Sequence, residues 1–200
     1  LMFFSAAERD GSGTRRTLGL ARTPDLNSIW TVDAEPLLPV DQQIENSTLY
    51  FEPSSSLWFL FTNHIGIHPD TLEEYTDAVW VYWSHDLTHW NPEHKAVVLD
   101  AQNCNWSPNI IGLPSVVKIG SRLALYYDGY NGDDFGHMGR DIGLAWLELP
   151  INSKAVSCSI CGVNISPIAS CARSRSNAGP RAMIAATRRL GALDLVKLRI

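Results

Sequence analysis

Three stretches of the chain repeat one text. "LGLARTPDLNSIW" at 18–30 and "VWVYWSHDLTHW" at 79–90 align through Thr23-Pro24-Asp25-Leu26 and Ser84-His85-Asp86-Leu87, with Trp30 over Trp90. "DIGLAW" at 141–146 is a shorter third copy. Placing Ala21, Tyr82 and Ala145 in register gives spacings of 61 and 63 residues. Solenoids use shorter repeats and sandwiches do not repeat so evenly, so the period excludes both and points to a supersecondary unit used in series.

Within each unit an apolar run precedes the shared stretch: "LMFFSA" at 1–6, "LWFLFTN" at 57–63 and "RLALYYDG" at 122–129. Ahead of the last two stand "STLYFE" at 47–52 and "PSVVKI" at 114–119. The turns between these paired runs, "PSSS" at 53–56 and "GS" at 120–121, suit hairpins. The runs alternate or are aromatic and β-branched, and nothing before 151 has the helical period. Four-stranded antiparallel units joined in series are propeller blades. The predicted fold is all-β, a partial propeller of about two and a half blades. A closed ring needs about four or more, so absent chain segments are expected to supply the missing blades.

Charge divides the chain near 150. Residues 1–150 hold 8 Lys/Arg and 20 Asp/Glu; residues 151–200 hold 8 Lys/Arg and a single acid, Asp194. All nineteen aromatic residues precede 151, and three of the four cysteines follow it. The expectation is a blade domain over 1–150 and a basic tail over 151–200, disordered or foreign to the fold. A reading-frame slip near 150 produces the same break. The other reading of the tail is a basic arm for an anionic partner. "LMFFSA" lacks the layout of a signal peptide and reads as mid-strand, so a natural start further upstream is an expectation. No apolar run approaches the ~20 residues that cross a bilayer, and a tail without aromatic residues argues against nucleic acid.

The first strand of a blade opens at the central channel. In the second unit that opening is "IENST" at 44–48, with Glu45 at its mouth; in the third it is "IGLPS" at 111–115, with no acid. Glu45 reads either as a structural carboxylate bonded to amides or an arginine, or as a general acid whose pKa burial raises. Asn63 and His64 close the second strand of their unit, and Asp128 holds the matching place in "YYDG". The tryptophans Trp30, Trp80 and Trp90 read as blade packing. His85 and His89, four apart on strand and turn, do not share a helical face, and the same holds for His64 and His68. "CSIC" at 158–161 with Cys171 gives three sulfurs and no convincing fourth ligand. No metal and no cofactor is expected.

"IENSTLYFEPSSSLWFLFTNH", followed by "AVWVYWSHDLTHW", resembles a blade of the five-bladed propeller glycoside hydrolases: family 43, the related family 32, and the mannoside phosphorylases of family 130. The likeness covers roughly residues 1–149. It implies a funnel-shaped site with an Asp from an early blade and a Glu from a middle blade flanking a sugar. Glu45 matches the strand-opening Glu that serves as general acid, and the Asp is expected upstream of Leu1. Family members carry Pro soon after that Glu, whereas Asn46 and Ser47 follow here. On this resemblance Asn63, His64 and Asp128 face the channel. His137 and Arg140, in the loop at 130–141, bind sugar hydroxyls or an anionic phosphate, the other reading being an exposed Gly-rich loop with an Arg140–Asp141 turn. Trp106 either stacks on a pyranose or packs a blade. The expected activity is glycoside hydrolysis of oligo- or polysaccharides. The alternatives are a non-catalytic sugar-binding or interaction propeller, or an inactive fragment. An extracellular or periplasmic setting is favoured over the cytoplasm.

Overall fold

The computed structural model describes residues 1–11, 13–107, 109–132, 135, 139–151 and 172–174. They form three antiparallel sheets laid side by side. The first has three strands, β1 (Met2–Asp10), β2 (Gly13–Arg22) and β3 (Thr31–Val32). The second has four, β4 (Ile44–Glu52), β5 (Leu57–Ile67), β6 (Glu74–Ser84) and β7 (Lys95–Leu99). The third is β8 (Ile111–Ile119), β9 (Arg122–Gly129), β10 (Asp141–Glu148) and β11 (Ala172–Ser174). Each sheet follows chain order, as a blade does. The one helical turn among the described residues is Val40–Gln42.

The runs "STLYF", "LWFLF" and "AVWVYW" fall on β4, β5 and β6, the consecutive strands that the period predicts. The fourth strand, "KAVVL", carried no signal of its own: it is five residues long and opens on a lysine. The tail, read as apart from the blades, contributes β11, which pairs Ala172–Ser174 with Leu144–Ile142 on the outer edge of the third sheet. Residues 152–171 and 175–200 lie outside the described residues, and with them the three tail cysteines.

The second sheet is buried on both faces, which is why its strands are apolar nearly throughout. Phe59, Phe61, Val79, Val81 and Trp83 point to one side and pack on Leu123, Leu125 and Tyr127 of the third sheet. Leu60, Tyr82, Ile44 and Trp90 point to the other and join Leu18 and Leu38. Strand period two sends neighbours to opposite cores. Each such side chain contributes about 1.5–3 kcal/mol when fully buried. Trp90 and Trp80 therefore pack, as expected, while Trp30 is only half-buried.

One cross-strand pair recurs with its members exchanged. Phe4 lies over Gly19 and Tyr127 over Gly143; at the same register of the second sheet Thr62 faces Trp80. A methyl on Gly19 would stand 2.3 Å from the Phe4 ring, and one on Gly143 2.2 Å from Tyr127. Each sheet has room for one large side chain at this level, on either strand.

Candidate functional site

The second and third sheets carry matching β-bulges where their first strands open. In β4, Ile44 and Glu45 pair with His64 and Asn63, and then Ser47 pairs with Thr62, leaving Asn46 as the extra residue at φ 50. In β8, Ile111 and Gly112 pair with Gly129 and Asp128, and pairing resumes at Ser115 beyond Leu113, at φ 46. Asn is among the few side chains that tolerate the left-handed region. A bulge bends its strand and re-aims the neighbouring side chains. Gly112 thus stands where Glu45 stands, and Asp128 where Asn63 stands.

Glu45 leaves the bulge with its side chain 21% exposed. Its carboxylate takes Asn46 Nδ2 at 3.3 Å and lies 3.5 Å from Arg16 Nη1, which reaches across from β2. Among the described residues it accepts from no backbone amide. Arg16 also donates from Nε to Glu74 at 3.2 Å. That hydrogen bond first, then the charges of Glu74 and Glu45, outweighs the cost of partial burial and holds the guanidinium above its ordinary pKa. Two carboxylates from the second sheet therefore share one cation from the first.

Asn63 is fully buried. Its Oδ1 accepts from Asn46 Nδ2 at 3.0 Å and from the Leu113 amide at 3.3 Å, which ties the second sheet to the third and fixes the amide orientation. Its Nδ2 has no partner among the described residues. His64 does not join Asn63: successive residues of β5 face opposite ways. Its Nδ1 lies 2.7 Å from Asp77 and its ring stacks on Trp80 at 4.1 Å.

Asp128 and Arg140 meet at 2.8 Å, and Arg140 Nη1 also donates to Thr76 Oγ1 of β6 at 3.2 Å. Their side chains are 15% and 8% exposed, so the guanidinium spends its donors on protein. The expected Arg140–Asp141 turn gives way to this inter-sheet contact. Gly112 lies beneath the same threonine: a Cβ there would sit 2.7 Å from Thr76 Oγ1. That explains why the third sheet opens without an acid. Trp106 donates its indole N–H to Tyr127 at 2.8 Å and packs against the core. His137 lies outside the described residues.

A cavity of about 330 Å³ opens between Phe3, Phe4 and Ser5 of β1, Asn46 of β4, and Leu113 and Pro114 of β8. Glu45 stands one residue from its wall. Sequence reasoning missed Arg16, Glu74 and Thr76, because each acts across a sheet-to-sheet contact that no local pattern encodes, and Asn46, whose reach to Glu45 and Asn63 comes from the bulge. Among the described residues, no group of three or more His, Cys, Asp or Glu is placed to hold a metal, and no helix is long and apolar enough to cross a membrane.

No protein-family model matches the chain, and no curated protein matches it in sequence. Solved structures do match. A thermostable family-43 glycoside hydrolase superposes with a TM-score of 0.56 at 14% identity, over 76% of this chain and 48% of its own. An α-L-arabinofuranosidase from Lactobacillus brevis gives 0.55 at 14% identity, over 88% and 52%. A third, described as a glycoside hydrolase, gives 0.50 at 17% identity, over 75% and 49%. The chain spans about half the length of these structures. It carries, in part, the β-propeller fold of family-43 glycoside hydrolases.

Proposed function

We propose that the chain is the core of a carbohydrate-active propeller that hydrolyses glycosidic bonds of oligo- or polysaccharides, with Glu45 as general acid. The observation that carries this reading is the placement of Glu45. It is a partly exposed carboxylate, aimed by a bulge at the strand opening beside the inter-sheet cavity, and free of backbone amides. The propeller glycosidases sharing the fold support the reaction class, and the arabinofuranosidase among them supports an arabinose-bearing glycan as first substrate to test. In this scheme Glu45 gives its proton to the glycosidic oxygen as the bond to the anomeric carbon breaks. Water adds to that carbon and yields its proton to a second carboxylate. Arg16 and Asn46 hold the Glu45 side chain in one pose.

A second reading has its own observation. Arg16 and Asn46 together satisfy Glu45 as they would a structural or hydroxyl-orienting carboxylate, which suits a sugar-binding propeller without chemistry. Glu45→Gln separates the two, since it keeps the shape and removes the transferable proton. General acid catalysis contributes about 10²–10⁴-fold, so turnover of natural arabinosides should fall by that order. Aryl glycosides with good leaving groups need less protonation and should fall less. Equal loss on both substrate kinds assigns Glu45 to binding, and unchanged turnover removes it from the reaction.

A further inference from the structure

The stretch "SHDLTHW" and its first-unit relative build the same turn. Asp25 takes the Asn27 amide at 2.8 Å and the Ser28 hydroxyl at 2.6 Å; Asp86 takes the Thr88 amide at 2.7 Å and its hydroxyl at 2.7 Å. The turn therefore needs Asp and a donor three residues on, Ser28 in one copy and His89 Nδ1 in the other; it does not need His85, whose place Pro24 occupies. Yet the second-sheet copy gathers three imidazoles around a cleft of about 660 Å³ floored by Leu57, Trp83 and Trp90. That volume lies within the ~300–1,000 Å³ of small-molecule sites. His85 uses Nδ1 on the Ser56 carbonyl at 3.0 Å, and His89 uses Nδ1 on Asp86 at 2.9 Å. Their Nε2 atoms have no partner among the described residues. His94 lies parallel to Trp83 with ring centres 6.0 Å apart, and its ring nitrogens are equally unpartnered. The cleft lies at the end of β5 and β6 opposite Glu45: Trp58 pairs with Ser84, whereas Asn63 pairs with Glu45.

We infer that this cleft is a second carbohydrate site, remote from Glu45, for a neutral glycan chain. Imidazole nitrogens and the Asn91 side chain can each give or take a hydrogen bond, as vicinal sugar hydroxyls require. The apolar floor suits the C–H face of a sugar ring. Anionic glycans are disfavoured by Asp86 at the rim and by an excess of twelve acids over bases in residues 1–150. The choice of glycan rests on the function proposed above; the location of the cleft does not.

Affinity electrophoresis of the full chain tests it, in gels holding soluble arabinoxylan or, separately, polygalacturonate. Arabinoxylan should retard the chain and polygalacturonate should not. Asn91 and His94 are exposed, and of their side-chain hydrogen bonds the double variant His94→Ala with Asn91→Ala gives up the one from the Glu93 amide to Asn91 Oδ1 at 2.9 Å, so the variant should stay folded with a small fall in melting temperature. Each lost hydrogen bond weakens binding about fivefold, so the double variant should bind arabinoxylan at least tenfold less tightly. Retardation that survives in the double variant, retardation by polygalacturonate instead, or none in either gel overturns the inference. Loss of turnover in Glu45→Gln is read separately and bears only on the proposed chemistry.

Discussion

Gly143→Ala measures how tightly the aromatic-over-glycine pair is packed. The new methyl would lie 2.2 Å from Tyr127 Cζ and 2.6 Å from both Cε atoms, so the ring must retreat by more than about 1 Å. The ring is 1% exposed, and its hydroxyl takes the Trp106 indole N–H at 2.8 Å and lies 3.2 Å from Cys104 Sγ. Overpacking of this kind costs about 1–3 kcal/mol, and disturbing the hydroxyl adds about 1 kcal/mol. Replacing Gly in a strand returns about 0.5–1 kcal/mol. The net expectation is a loss of about 1–3.5 kcal/mol in urea unfolding, together with a shift in tryptophan emission as the Trp106–Tyr127 hydrogen bond is disturbed. In a Tyr127→Ala background the same substitution should cost nothing. A loss below about 0.5 kcal/mol in the parent, or an equal loss in both backgrounds, refutes the reasoning.

Two further outcomes follow from buried polar groups. Burial pushes the Glu52 carboxyl up, but hydrogen bonds from the Ser54 side chain and amide, the Tyr50 hydroxyl and the Ile151 amide outweigh it and leave its pKa below the ordinary value. A depressed carboxylate stabilises above its unfolded pKa, about 4.3, and that stability is lost as pH falls through the lower folded value. Melting temperatures between pH 6 and pH 3, on the order of the usual carboxylate range, should therefore fall more steeply in the parent than in Glu52→Gln; parallel curves would show that Glu52 contributes nothing. Arg140→Met strands Asp128, whose Oδ1 already lacks a partner among the described residues, and should cost about 3 kcal/mol, partly recovered by Asp128→Asn. Unchanged stability with weakened glycan binding would return Arg140 to the substrate.

The strands were legible because alternation and hairpin residues are local. "LWFLF" opposite "AVWVYW" leaves little choice of structure, and the period of about sixty residues set their order. Glu45 was legible as a strand-opening acid, and the lack of an acid in "IGLPS" was visible too, although not its cause. The cause is Thr76, thirty-six residues away, filling the space that a side chain at Gly112 would need. Arg140 was read toward substrate because its partner, Asp128, lies twelve residues back on another strand. His64 was placed beside Asn63 by adjacency, whereas the pleat turns it onto Trp80.

The paired bulges bear on how a rotationally repetitive scaffold becomes chemically lopsided. The second and third sheets present the same stage, with a left-handed residue at Asn46 or Leu113 just after the position that can hold an acid. What occupies that position is decided by the adjoining sheet. The first sheet offers Arg16, and an acid stands there; the second offers Thr76, and only glycine fits. Asymmetry is thus written in the seams, one residue from each side. An evolving or engineered ring could move this acid to the next seam by exchanging the pair there together, and neither half of the exchange would suffice alone.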